Sequence, residues 1–147
     1  MKTFHFSLET LLKVRRLEEE ELQVKLADAT AKLMAEKERV ILLQTKLAEH
    51  ISNFRNGQKE KVTVSTFNDF HIYHDTLKRN IVVRNEQVEI AQGFHSQCLA
   101  ALQQAVKARK LVEKLRKKRL LEYQAECLAE EQKLVDEQGL QVFNRNK

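Results

Sequence analysis

The stretch LETLLKVRRLEEEELQVKLADATAKLMAEKERVILLQTKLAEHISNF, residues 8–54, decides the fold. Within it Leu8, Leu12, Leu22, Leu26, Ala29, Leu33, Val40, Leu43, Leu47 and Phe54 lie on one register of alternating four- and three-residue steps. Ten of the fourteen positions on that register are apolar. A straight helix drifts away from a strict seven-residue repeat. A stripe held for about seven heptads therefore calls for a second helix wound against it. Polar residues interrupt the seam at the Arg15/Glu19 pair, Glu36 and His50. Such interruptions cost stability but specify register. No proline occurs anywhere to break a helix. The expectation is an all-α coiled coil.

The partner helix is present in the same chain. Ser7 can cap a first helix of about 7–55, and Asn56-Gly57-Gln58 punctuates its end, because glycine accepts the left-handed turn that closes helices. Val62 to Ser65 read as an extended link, and Thr66 with Asp69 resembles a weak capping box. A second seam takes in Leu77, Ala91, Phe94, Cys98, Ala101, Ala105, Ala108, Val112 and Leu115. It then slips by a residue or two to Leu120, Tyr123, Cys127 and Leu134, as a stutter would. The resulting layout is a single domain: helix one, a turn and tip at about 56–76, helix two at about 77–138, and a short tail. Helix two outruns helix one, so either its end projects or residues 58–80 fold as short tip helices. The reading is a long antiparallel two-helix coiled coil, a helical hairpin. Charge supports it, since reversal brings Glu18 to Glu21 near the basic residues between Lys107 and Arg119.

Composition narrows the class further. Charged residues make up 32% and aromatics 6%, with no Trp, which is too little bulk for a thick globular core. The net charge of +5 permits acidic partners without demanding them. Cys98 and Cys127 share no short motif and suit a reducing compartment. No secretory leader and no membrane-spanning run is read, so a soluble intracellular chain is expected.

Candidate chemistry is sparse. The Lys107–Arg119 block lacks interleaved aromatics and reads as a solvated or protein-contacting face rather than a nucleic-acid site. His71 with His74 and His95 with Cys98 imitate two halves of a metal site. Some twenty-one residues of helix, roughly 30 Å, would separate them, so no metal and no cofactor is expected. Neither a phosphate-cradling glycine loop nor a nucleophile with its base is legible, so neither enzyme nor small-molecule substrate is expected. More suggestive is a group around the turn: Leu47, His50 and Phe54, then Phe67, Phe70, Tyr73, Leu77 and Ile81. Either these pack the tip, or they dock a partner through exposed rings.

Two stretches resemble the flagellar export protein FliJ family. One is Phe4-x-Phe6-x-Leu8-x-x-Leu11-Leu12-Lys13-Val14-Arg15 with the acidic run behind it. The other is Leu115-x-Lys117-Lys118-Arg119, then Tyr123-x-x-Glu126, Glu131-Gln132 and Asp136-Glu137. Length and the two-helix layout agree. The resemblance implies a non-enzymatic stalk or adaptor of the flagellar type III export apparatus. Its partners would be the hexameric export ATPase, the ATPase regulator, the cytoplasmic domain of the export gate and export chaperones. By the same resemblance, Leu43, Leu47, His50, Phe54, Phe70, Tyr73, Leu77 and Ile81 face the gate or chaperones, although His50, Asn80 and Arg84 depart from the family pattern. Phe4, Phe6, Leu8, Lys114, Lys117, Lys118 and Arg119 face the ATPase. It also implies a cytoplasmic protein peripherally associated with the inner membrane at the flagellar base. A chaperone for export substrates and the equivalent stalk of a virulence-type secretion system are the alternatives.

Overall fold

The computed structural model describes residues 3–57 and 62–147. Two helices dominate them: α1, Glu9–Gly57, of 49 residues, and α2, Val64–Arg145, of 82 residues. Partners on α2 fall in number as those on α1 rise, so the helices run antiparallel, as Glu9–Arg116, Glu19–Arg109 and Glu36–Arg84 illustrate. The fold is the all-α helical hairpin that the heptad seam calls for. Neither helix is amphipathic in the ordinary 3.6-residue sense, because the buried stripe follows a 3.5-residue period instead.

The chain divides into two compact units, the segment ending at Glu21 with Gln103–Lys147, and Leu22–Leu102. In the first unit Leu12 is completely buried and Phe6 nearly so. Around them three ion pairs link the helices: Arg116 to Glu9 at 3.1 Å, Arg16 to Glu113 at 3.5 Å, and Arg109 to Glu19. Among the described residues of the second unit the buried side chains are Ala29, Leu33, Val40, Leu77 and Cys98. Ala29 and Cys98 are small, which limits the core volume they fill.

Of the polar interruptions in the α1 seam, Glu19, Glu36 and His50 find partners on α2, whereas Arg15 pairs along α1 with Glu18 at 3.0 Å. Glu36 lies 3.7 Å from Arg84 and also accepts a 2.7 Å hydrogen bond from Arg39. Thr30 Oγ1 donates to the Leu26 carbonyl at 2.8 Å, which spends its only proton. The 3.1 Å contact between that oxygen and His95 must therefore be donated by His95 Nε2, and this sets the histidine tautomer.

Several expectations are corrected. The turn and tip do not extend over 56–76, because α2 already begins at Val64. The Thr63 hydroxyl accepts the Thr66 amide at 3.2 Å and the Thr63 carbonyl accepts Phe67 N at 3.1 Å, so Thr63, not Thr66, is the cap. Short tip helices over residues 64–76 are thereby excluded, while residues 58–61 lie outside the described residues. Gly57 ends α1 without a left-handed turn, since no described glycine has positive φ. Gly139 fails to stop α2, which runs on to Arg145 instead of ending near 138. Phe94 and Leu134 point to solvent, at 49% and 59% exposure. Beside Phe94 it is His95 that occupies the seam, a polar residue that a hydrophobic tally passes over. Finally, among the described residues only Glu19 of the acidic run pairs with the basic block, through Arg109.

Candidate functional site

Each unit carries one group of side chains suited to contact with another molecule. In Leu22–Leu102 that group is built where α1 and α2 approach the turn. His50 stands on the α1 seam, and its ring stacks on Phe70 with centroids 4.7 Å apart and meets the edge of Tyr73 at 4.5 Å. Its Nε2 also donates to the Phe70 carbonyl at 3.4 Å. Phe54, one heptad step on, stacks on Phe70 at 4.0 Å and tilts against Phe67 at 6.2 Å. Phe67 meets His71 edge-on at 4.7 Å. Every ring is supplied by a helix turn, so the cluster is held by backbone that is already hydrogen-bonded. Aromatic pairs of this kind contribute about 0.5–1.5 kcal/mol each beyond area burial.

The proposed gate- and chaperone-facing set divides sharply by exposure. Leu77 is core, only 4% exposed. Leu43, Leu47, His50, Phe54, Phe70 and Ile81 are half-buried, with their inner sides turned to the opposite helix. Tyr73 alone of the eight is open, at 47%. Phe67, at 45%, is equally open and was legible in the sequence only as part of the aromatic group. A shallow groove of about 390 Å³ runs beside these rings, lined by His50, Asn53, Phe54, Thr66, Asp69 and Phe70.

His74 is mostly buried against Phe70, 5.6 Å between centroids, and its Nδ1 has no hydrogen-bond partner among the described residues. Asp75 lies 3.6 Å away, too far for a hydrogen bond. Among the described residues no three His, Cys, Asp or Glu side chains converge on a point. His71 and His74 lie against rings, while His95 and Cys98 belong to the seam.

In the first unit the chain before α1 folds back on α2. Phe6 is buried, Phe4 rests on Tyr123 with centroids 5.5 Å apart, and Leu8 is 37% exposed. The Tyr123 hydroxyl is held above its ordinary pKa, first by a hydrogen bond with the Cys127 thiol and then by burial. Beside it lies an open groove of about 820 Å³ whose walls include Phe4, Phe6, Arg119, Tyr123, Glu126 and Cys127. Lys114, Lys117, Lys118 and Arg119 are exposed on α2, and Arg119 pairs with Glu122 at 3.4 Å. Deeper in the unit Arg109 bridges Glu19 and Glu113, with its guanidinium 2.9 Å from Glu113. The hydrogen bond from Arg109 holds the Glu113 carboxyl below its ordinary range, and the same contact raises Arg109. The sequence pointed to charge pairing between these helices but not to which partners meet, because register depends on the length and path of the turn.

Two long helices packed against each other make this an all-α coiled-coil hairpin. A family model described as "Flagellar FliJ protein" matches residues 4–147, and the chain belongs to that family. It is thus a coiled-coil protein related to flagellar protein export. No curated protein and no solved structure matches the chain. Among the described residues no helix is long and apolar enough to cross a membrane.

Proposed function

We propose that this chain is the central stalk and adaptor of the flagellar type III export apparatus. In this reading it engages the hexameric export ATPase and its regulator, and links them to the export gate and export chaperones. It would work in the cytoplasm, at the inner face of the membrane beneath the flagellum. Family membership supports the setting. The observation that carries the mechanical part is the set of polar pairs inside the seam, Glu19 with Arg109 and Glu36 with Arg84. Such pairs resist sliding of one helix on the other, because any shift strands a charge against apolar side chains. A hairpin held in one register can transmit a push or a twist instead of absorbing it. No chemistry is required of it: contact that differs between conformations of the ring subunits is enough to bias them.

Within this reading Phe4, Phe6, Leu8, Lys114, Lys117, Lys118 and Arg119 form the ATPase-facing surface, and the turn cluster faces gate and chaperones. Adding the purified chain to the export ATPase should raise its hydrolysis rate and its hexamer fraction. Reversing Lys114, Lys117 and Lys118 to Glu should remove that stimulation with helicity unchanged. Stimulation that survives the reversal would remove the basic stretch from the proposal, and no stimulation by the unaltered chain would end the stalk reading.

The exposed rings of Phe67 and Tyr73 favour a second reading, an escort for export substrates or their chaperones. Phe67→Ala with Tyr73→Ala should then abolish capture of those proteins and leave ATPase stimulation intact.

A further inference from the structure

A second heptad stripe runs along α2, to one side of the hairpin seam. Leu121, Leu128, Val135 and Val142 recur every seven residues and are 65%, 67%, 60% and 59% exposed. Ala125, Gln132 and Gly139 fill the alternate positions, so the steps of four and three are kept throughout. Leu121 and Leu128 stand one place after the half-buried Leu120 and Cys127, hence about 100° further round the helix. The inner row serves α1 and the N-terminal segment through Leu120, Tyr123 and Cys127, and the outer stripe meets solvent. On this face Leu and Val hold every second position of a 3.5-residue repeat, and such a stripe on an exposed face is the pattern of a coiled-coil seam lacking its other strand.

Charge identifies the missing strand. On the N-terminal side the same stripe continues as Lys107, Leu111, Lys114 and Lys118, flanked by Lys110 and Lys117, while its apolar part is flanked by Glu131 and Asp136. All of these charged residues are exposed, and they form no ion pair among the described residues. One arm therefore carries a basic half and an acidic, apolar half in series. Turned end for end, it complements itself.

We infer that this face binds a second copy of the chain, α2 against α2, antiparallel. In the register that stacks Leu121 on Ala125 of the second copy, Val135 covers Leu111 and Leu128 covers the aliphatic stem of Lys118, whose ammonium reaches solvent. Lys117 then faces Glu131 of the second copy, and two-fold symmetry makes that pair twice. Glu122 comes near its own counterpart, but Arg119 already neutralises it at 3.4 Å. A parallel pair does worse, because Lys114 and Lys118 would stack on themselves and Glu131 would meet Asp136. The antiparallel overlap spans residues 104–142, roughly 60 Å of helix. The inference stands apart from the stalk proposal. Since it covers Lys117 and Lys118, it makes self-association and use of that basic face by an ATPase mutually exclusive.

Sedimentation equilibrium of the purified full chain, without any ATPase, tests this across about 1–100 µM. A reversible dimer is expected. Leu128→Asp should weaken it at least about 100-fold with the far-ultraviolet circular dichroism unchanged, since that side chain is exposed in the monomer. Lys117→Glu and Glu131→Lys should each weaken it about tenfold, and the double exchange should restore it to within about threefold. A monomer throughout that range, a dimer indifferent to Leu128→Asp, or a double exchange weaker than either single change would each overturn the assignment.

Discussion

Leu77 and Tyr73 stand one helical turn apart on α2, and both belong to the stripe that family resemblance directs at the export gate. The hairpin gives them different work. Leu77 is 4% exposed in the seam, whereas Tyr73 is 47% exposed and touches its neighbours chiefly through the edge contact with His50 at 4.5 Å. Leu77→Ala removes three buried carbons, worth about 2.4 kcal/mol of transfer free energy at about 0.8 per methylene. The space left between two helices relaxes only in part, which brings the expected loss to roughly 3 kcal/mol. Tyr73→Ala forfeits one aromatic contact and half-exposed area, a loss of about 1 kcal/mol. Urea titration of each full-length variant by circular dichroism at 222 nm should separate them by about 2 kcal/mol. Equal losses, or the larger loss at Tyr73, would refute the seam register described here. The comparison also bears on function. Any binding defect of Leu77→Ala must be judged against its unfolding, while a defect of Tyr73→Ala at unchanged helicity reports contact directly.

Replacing Glu36 and Arg84 together by Leu should leave stability equal or higher by up to about 1 kcal/mol, because Glu36 gives up most of its water in the seam while the Arg84 side chain stays 43% exposed. Arg84→Leu alone should lower it, and double-mutant urea titrations provide the measurement. Glu113 is held below its ordinary 4.5 by the hydrogen bond from Arg109, so the folded chain binds fewer protons there than the unfolded chain. Its contribution is present above that value and lost as pH falls through the lowered one, and Glu113→Gln should therefore flatten the decline of thermal midpoint below about pH 4.5. Gly93 lies inside α2 with open space where a β-carbon would stand, so Gly93→Ala should stabilise the chain by about 0.5–1 kcal/mol in the same titrations.

Much of the architecture was written in spacing. Ala29, Leu33 and Val40 could be assigned to a seam from their four- and three-residue steps, and all three are buried. The polar positions Glu19, Glu36 and His50 were recognised as interruptions of that seam, but their partners were not. Arg109, Arg84 and the Phe70 carbonyl lie far along the chain, and which of them arrives opposite a given α1 residue depends on the turn. Helix ends are not legible in the sequence for a related reason. Thr63 and Thr66 have similar capping chemistry, and only the hydrogen bonds made by the folded backbone distinguish them.

By itself the sequence determined that this protein is two helices zipped along a heptad stripe, because period and the absence of proline are properties of the chain alone. Tertiary structure decided which side chains remain available for binding. It withdrew Leu77 and half-covered His50 and Phe54, leaving Tyr73, Phe67 and the outer row from Leu121 to Val142 open. The physical reason is that a helix has several apolar faces when read as a string. Which one is spent on folding is settled only when the second helix lies down against it.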